Sequence, residues 1–168
     1  QLTKGDWVVT ALVGVDETSG KVFFTGTKDD PLAHQVYAIN LKRSGEVHRL
    51  TELAFHNSAS MDRSGKSLLI SRSSVGQPPQ VYLADQSGKR IAWVEENKLD
   101  AKHPYTPYLA SHRPVEFGTI KATDGTVLHW NMITPPLVPG KRYPVFFQHY
   151  GGPSNQQVLR DWGSPLAQ

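Results

Sequence analysis

Several features that would point to particular functions are missing from this sequence. It has no cysteine among its 168 residues, which excludes disulfide bonds and thiolate metal sites. No apolar run approaches the roughly 20 residues that a membrane-spanning helix requires. Lysine and arginine are scattered, with no run longer than a pair, and the net charge is +3, so the basic surface typical of a nucleic-acid-binding protein is not indicated. The histidines do not combine with acidic residues at metal-ligand spacing, and we expect neither a metal nor a cofactor.

The first half of the sequence contains an internal repeat. Ser19-Gly20-Lys21 recurs as Ser64-Gly65-Lys66, and Gln35-Val36-Tyr37 recurs as Gln80-Val81-Tyr82, each 45 residues later. Each unit has an apolar strand after its Ser-Gly-Lys, an alternating strand around its Val-Tyr and a polar turn before a last strand. Four short strands at a period in the mid-forties predict a β-propeller blade. Two blades imply neighbours, because one blade cannot bury both of its faces. A two-layer β-sandwich is the alternative.

The second half has a different character. Residues 96–113 are polar and carry prolines, which predicts a connector with one helical turn around residues 97–102. Residues 114–168 then predict the start of a separate sheet: two strands around the Asp124-Gly125 hairpin turn, followed by a buried strand at residues 144–148. That strand stops at His149-Tyr150-Gly151-Gly152-Pro153, where two glycines and a proline force the backbone to turn. Residues 156–162 are predicted as a helix or a loop.

The order of these features resembles a known family. Two blades, a Pro-containing connector, an Asp-Gly-Thr hairpin, Pro-Pro, Lys-Arg-Tyr-Pro and Tyr-Gly-Gly-Pro together resemble the prolyl oligopeptidase family of serine peptidases, in particular its dipeptidyl peptidase IV branch. The resemblance covers essentially the whole chain, and its most specific parts are residues 2–7, residues 132–136 with 141–144, and residues 150–156. It implies a mainly β chain in which two β-propeller blades precede the first strands of an α/β-hydrolase domain. The implied boundaries are residues 1–95, 96–113 and 114–168, the last being an incomplete peptidase domain.

The resemblance also implies a function. Family members cleave peptides with a Ser-Asp-His triad, and the branch releases N-terminal dipeptides with Pro or Ala at the second position. Tyr150 occupies the position of the tyrosine that donates its hydroxyl to the oxyanion, and Tyr150 and Pro153 are the implied substrate-binding residues. His149 is expected to point away from Tyr150, because adjacent residues of a strand alternate. Glu95 and Glu96 lie in the connector and are not expected to bind the substrate amine.

Other parts of the catalytic machinery are absent from the sequence. It has no Gly-x-Ser-x-Gly turn to expose a nucleophilic serine, and Ser154 and Ser164 lack that setting. We therefore interpret residues 1–168 as an inactive piece of a longer chain, whose partners are a peptide substrate, the remaining propeller and hydrolase parts, and a second copy in a homodimer. No localisation signal is present in these residues, and the resemblance implies a periplasmic or membrane-associated protein of a bacterium.

Two other functions fit the same residues. One is an oligopeptidase or acylaminoacyl-peptidase with a different specificity. The other is a non-catalytic β-propeller interaction module whose C-terminal part is a docking extension. A Gly-x-Ser-x-Gly turn further along the reading frame would favour either peptidase over the module.

Overall fold

The structure is a computed structural model that describes residues 2–42, 46–150, 152 and 155–163. Within these ranges the chain is mainly β, with strands separated by short turns and one 3₁₀ helix at Thr106–Ser111. In chain order the strands are β1 (Val9–Asp16), β2 (Lys21–Gly26), β3 (Gln35–Asn40), β4 (His48–Arg49), β5 (His56–Met61), β6 (Ser67–Ser74), β7 (Gln77–Asp85), β8 (Arg90–Glu95), β9 (Val115–Lys121) and β10 (Val127–Ile133).

The first eight strands form two four-stranded antiparallel sheets. Sequence neighbours pair throughout, in the orders β1-β2-β3-β4 and β5-β6-β7-β8. The two four-stranded units predicted for residues 8–94 are confirmed. The repeat itself is slightly irregular: Tyr37 pairs with Phe24 and Tyr82 pairs with Ile70, so β6 follows β2 by 46 residues whereas β7 follows β3 by 45. The two Ser-Gly-Lys triplets are 45 residues apart, whereas β2 and β6 are 46 apart, so the triplets occupy positions in their turns that differ by one residue.

The Ser-Gly-Lys triplets form the hairpin turns. Each turn begins with an aspartate whose carboxylate accepts hydrogen bonds from backbone N–H groups two to five residues further on; the three are Asp16, Asp62 and Asp85. In each turn the glycine has a positive φ that other residues rarely adopt: 73° at Gly20, 72° at Gly65 and 85° at Gly88. Local hydrogen bonding by aspartate and the freedom of glycine explain why the same residues recur at these turns.

The main core lies between the two four-stranded sheets. Its largest fully buried members are Phe23 of β2 and Leu68 and Ile70 of β6, and Tyr82 packs against them with its ring 5.5 Å from Trp93. Burying apolar side chains of this size stabilises the fold by about 1.5–3 kcal/mol each. The first sheet has a second apolar face, where Trp7, Phe24 and Tyr37 stack with ring centroids 5.6–6.1 Å apart. Both faces of that sheet are thus covered by side chains.

Polar contacts join the two sheets at opposite ends. At one end the Gln86 side chain donates to Asp16 Oδ2 at 2.8 Å and to the Gly65 carbonyl at 2.6 Å, which links turns from different sheets. At the other end Gln35, which is fully buried, donates to the Phe55 carbonyl and accepts from Thr51 and Asn57. These side chains fix the register between the sheets as well as their separation, because hydrogen bonds are directional and apolar contacts are not.

The second half departs from the prediction in two places. Strands β9 and β10 form the expected hairpin, but residues 144–148 form no strand, so the predicted third strand is wrong. The side chains of Val145, Phe146 and Phe147 are 88%, 92% and 78% exposed, and no neighbouring strand pairs with them within the described residues. The helical turn predicted at residues 97–102 is wrong, because the helix of the connector is at Thr106–Ser111, where Pro107 occupies the first turn.

Candidate functional site

Tyr150 stands at the end of a segment that leaves β10 through a proline-rich loop. The Tyr143 hydroxyl closes this loop: it accepts from the Val138 N–H at 3.0 Å and donates to the Pro136 carbonyl at 3.1 Å. Lys141 lies over the Tyr143 ring at 5.2 Å, a cation–π contact that favours the same arrangement. The Lys-Arg-Tyr-Pro stretch therefore has a local structural role before Tyr150 is reached.

The Tyr150 side chain is partly open to solvent. It is 56% exposed, and no hydrogen bond engages its hydroxyl within the part of the chain that the structure describes. The rings of Phe147 and His149 lie 5.6 Å apart, so these two side chains, two residues apart, lie on the same side of the segment. In an extended segment the side chain of the next residue points to the other side. A phenol in this position is a free hydrogen-bond donor for an anionic group.

Gly152 supports the ring of Tyr150. A Cβ atom placed on Gly152 would lie 2.6 Å from Cε1 and 2.7 Å from the hydroxyl oxygen of Tyr150. Non-bonded atoms do not approach that closely, so a side chain at residue 152 would displace the exposed Tyr150 ring from this position. The predicted substrate-binding residue Pro153 lies outside the described residues.

A short segment after Tyr150 returns to both four-stranded sheets. We call residues 160–162 the anchor segment. The Arg160 N–H donates to the Leu32 carbonyl at 2.9 Å, its guanidinium pairs with Asp30 at 3.1 Å, and the Trp162 N–H donates to the Ser73 hydroxyl at 3.3 Å. The Trp162 ring lies 5.7 Å from that of Tyr105 and 5.6 Å from that of His112. Of the helix or loop predicted for residues 156–162, the loop is what the structure has. The sequence analysis missed its contacts with the sheets, because nothing in Arg160-Asp161-Trp162 indicates distant partners.

Two histidines lie beside the anchor segment. The rings of His34 and His56 are 4.5 Å apart, and His56 Nδ1 accepts a hydrogen bond from the backbone N–H of His34 at 3.3 Å. Burial lowers the pKa of both side chains; His34 further lowers that of His56, whereas Asp161 raises both. The accepted hydrogen bond at Nδ1 requires that nitrogen of His56 to be unprotonated, so the geometry favours a neutral His56, and the lowered pKa values favour the neutral form of both side chains.

A cavity of about 380 Å³ lies between the anchor segment, the connector and the β9–β10 hairpin. Its walls include Val75 in the turn between β6 and β7, together with Arg113, Val115, Asn131, Gln148 and Asp161. Gln148 lies two residues before Tyr150, so the cavity and the tyrosine belong to the same region. The described residues contain no group of three side chains able to hold a metal ion. Among them no helix is long and apolar enough to cross a membrane.

Comparison with known proteins identifies the family. Residues 1–79 match the family model described as the dipeptidyl peptidase IV (DPP IV) N-terminal region. The chain is 33% identical over 168 residues to "Dipeptidyl peptidase 8" of Mus musculus, covering 94% of this chain and 18% of that protein. The chain belongs to the dipeptidyl peptidase IV family. The family resemblance recognised in the sequence is therefore confirmed.

Further members extend the similarity to fungi and bacteria. "Dipeptidyl peptidase 4" of Trichophyton tonsurans is 31% identical over 172 residues, covering 97% of this chain and 21% of that protein. The crystal structure of Porphyromonas gingivalis dipeptidyl peptidase 4 superimposes with a TM-score of 0.80 at 30% identity, covering 95% of this chain and 22% of that one. The chain thus spans about a fifth of the length of these relatives. The structural match favours blades over a two-layer sandwich for residues 8–94.

Proposed function

We propose that this dipeptidyl peptidase IV family chain is part of a serine exopeptidase that releases N-terminal dipeptides, preferring Pro or Ala at the second position. The observation that carries the proposal is the similarity to proteins named dipeptidyl peptidases over 94–97% of the chain. Residues 1–95 would be C-terminal propeller blades, residues 96–113 a connector and residues 114–168 the start of the peptidase domain. The remaining propeller and hydrolase parts, and a second copy in a homodimer, would complete it.

Within this proposal Tyr150 is the oxyanion donor. Peptide cleavage by a serine nucleophile passes through a tetrahedral intermediate, on which negative charge develops at the former carbonyl oxygen. A fixed hydroxyl directed at that oxygen stabilises it, and losing one such donor typically raises the barrier by about 2.7–4 kcal/mol. The exposed hydroxyl of Tyr150 and the close approach of its ring to Gly152 are consistent with this role. The ring and Pro153 would together wall the substrate pocket.

The test is Tyr150→Phe in the full-length protein, which removes the donor and keeps the ring. We expect kcat to fall by about a hundredfold or more while KM changes little, because the donor acts mainly in the transition state. The assay is steady-state release of a chromophore from a Gly-Pro anilide. Residues 1–168 alone are expected to release none, since they contain no nucleophile elbow.

Two controls separate the oxyanion role from packing. His149→Ala alters the neighbouring side chain on the opposite side of the segment, so it should reduce kcat far less. Tyr150→Ala removes ring and donor together and should also raise KM. A kcat of Tyr150→Phe within about threefold of wild type, a barrier change of roughly 0.7 kcal/mol, would contradict the assignment.

Substrate choice tests the remaining alternatives. A dipeptidyl peptidase needs a free amino terminus, so N-acetylation of the Gly-Pro anilide should abolish cleavage. Cleavage of the acetylated substrate would instead favour the oligopeptidase or acylaminoacyl-peptidase function, and no cleavage of any peptide by the full-length protein would favour the interaction module.

A further inference from the structure

Arg160 connects three parts of the chain. Its N–H donates to the Leu32 carbonyl at 2.9 Å and its guanidinium pairs with Asp30 at 3.1 Å; both partners lie between β2 and β3 of the first sheet. The same guanidinium carbon lies 5.5 Å from the centre of the Phe117 ring in β9. One side chain therefore contacts both the first four-stranded sheet and the β9–β10 hairpin.

The ion pair has the features of a defined contact. The Asp30 side chain is only 16% exposed, and its other oxygen accepts from the Leu32 N–H at 2.7 Å, which fixes the orientation of the carboxylate. Exposed ion pairs contribute little to stability, but removing the cation from a largely buried carboxylate leaves a charge without its partner. Loss of the arginine side chain, which is itself 53% exposed, should therefore weaken the attachment of this end of the anchor segment and leave the backbone bond to Leu32 in place.

Trp162 holds the segment at a second point. Its N–H donates to Ser73 of β6, and its ring packs against Tyr105 and His112 of the connector. Among the described residues that follow Tyr150, the backbone groups that bond to the sheets are those of Arg160 and Trp162. Within the described residues, the anchor segment is thus the place where the chain after Tyr150 bonds to the sheets.

We infer that Arg160 is a positioning residue for Tyr150, holding the segment that carries the tyrosine against the first sheet. The inference rests on the proposed function of Tyr150. Small displacements of a group that acts in the transition state are costly, since a shift of about 1 Å can reduce the rate by roughly a hundredfold. Arg160 does not touch the reacting atoms in this scheme, so its effect passes entirely through the placement of Tyr150.

The test uses the full-length protein and three variants. Arg160→Ala removes all of the side-chain contacts, and Asp30→Asn removes the charge of its partner while keeping an acceptor for Leu32. The matched control is Arg63→Ala, an exposed arginine in the turn between β5 and β6. We expect Arg160→Ala to lower kcat about tenfold with KM within twofold, Asp30→Asn to lower kcat less, and Arg63→Ala to leave both unchanged.

A double-mutant cycle with Tyr150 decides the route of the effect. In a Tyr150→Phe background the donor is already absent, so Arg160→Ala should lower kcat by less than twofold. An equal loss in both backgrounds would overturn the positioning role while leaving the oxyanion role intact. An unchanged kcat in Arg160→Ala would also overturn it. A silent Tyr150→Phe would instead remove the proposed function, and the positioning role with it. Hydrogen exchange of residues 155–163 should rise in Arg160→Ala, and unchanged exchange would contradict the anchoring.

Discussion

The polar network around Gln35 allows a quantitative test of how the two sheets are joined. Gln35→Leu keeps the approximate size of the side chain and removes its amide. The Phe55 carbonyl would still accept from Asn57 at 2.7 Å. The Thr51 hydroxyl would still accept from the Val36 N–H at 3.0 Å, but its own proton, which now goes to Gln35 at 2.8 Å, would have no acceptor.

The magnitude follows from this count of remaining partners. One buried donor without a partner costs about 1–3 kcal/mol, and the other groups keep at least one partner each. We therefore expect Gln35→Leu to lower the free energy of unfolding by about 2 kcal/mol. Thr51→Val should cost a similar amount, because it leaves the Val36 N–H unpaired. In the double variant the orphaned hydroxyl is gone, so the combined loss should fall short of the sum by about 1 kcal/mol.

Urea unfolding followed by tryptophan fluorescence measures these differences. The matched control is Gln156→Leu, the same substitution at an exposed site, which should change the free energy of unfolding by less than about 0.5 kcal/mol. Equal losses in Gln35→Leu and Gln156→Leu would refute the reasoning. Strict additivity of Gln35→Leu and Thr51→Val would show that the two side chains act independently.

Two further predictions concern acid stability and the Tyr150 ring. Hydrogen bonds from the Ser19 hydroxyl and, to a smaller extent, the Gln86 amide lower the pKa of Asp16 from 3.8 to about 2. The stability that ionised Asp16 contributes is therefore present above about pH 4 and is lost as the pH falls towards 2. Unfolding midpoints measured between pH 2 and 5 should fall less in Asp16→Asn than in wild type, and equal falls would contradict the assignment. Gly152→Ala should displace the Tyr150 ring, because the added Cβ would lie 2.6 Å from it, and should lower kcat in the full-length protein without lowering the melting temperature. The control is Gly76→Ala, where an added Cβ meets nothing within 4 Å. Equal kcat values for the two variants would exclude the contact.

The sequence predicted the repeated half well because its signals are local. Alternating side chains and Ser-Gly turns that follow an aspartate each depend on residues within one hairpin, and the 45-residue spacing of the triplets agrees with them on four-stranded units. The one-residue shift between β2 and β6 could not be read from the triplets, because the first turn has two residues between Asp16 and Ser19 where the second has one between Asp62 and Ser64.

The second half was harder because its structure depends on distant partners. The apolar residues 144–148 reveal a preference for burial, but a strand also requires a neighbour to pair with, and hydrophobicity says nothing about that neighbour. The contact of Arg160 with Asp30 joins residues 130 positions apart, and neither residue stands out from other charged residues in the sequence. Tyr150 could be named from its motif alone, whereas its support by Gly152 required the geometry.

The four tryptophans have a practical consequence for following unfolding. Trp7 stacks on Phe24 at the first sheet, Trp93 packs against Tyr82 in the second, Trp130 lies over Gly118 in the β9–β10 hairpin, and Trp162 belongs to the anchor segment. Each tryptophan therefore reports on a different part of the chain. Versions that keep one tryptophan and replace the others with phenylalanine would give each part its own optical signal. The order in which those signals change would reveal whether the anchor segment detaches before the sheets separate.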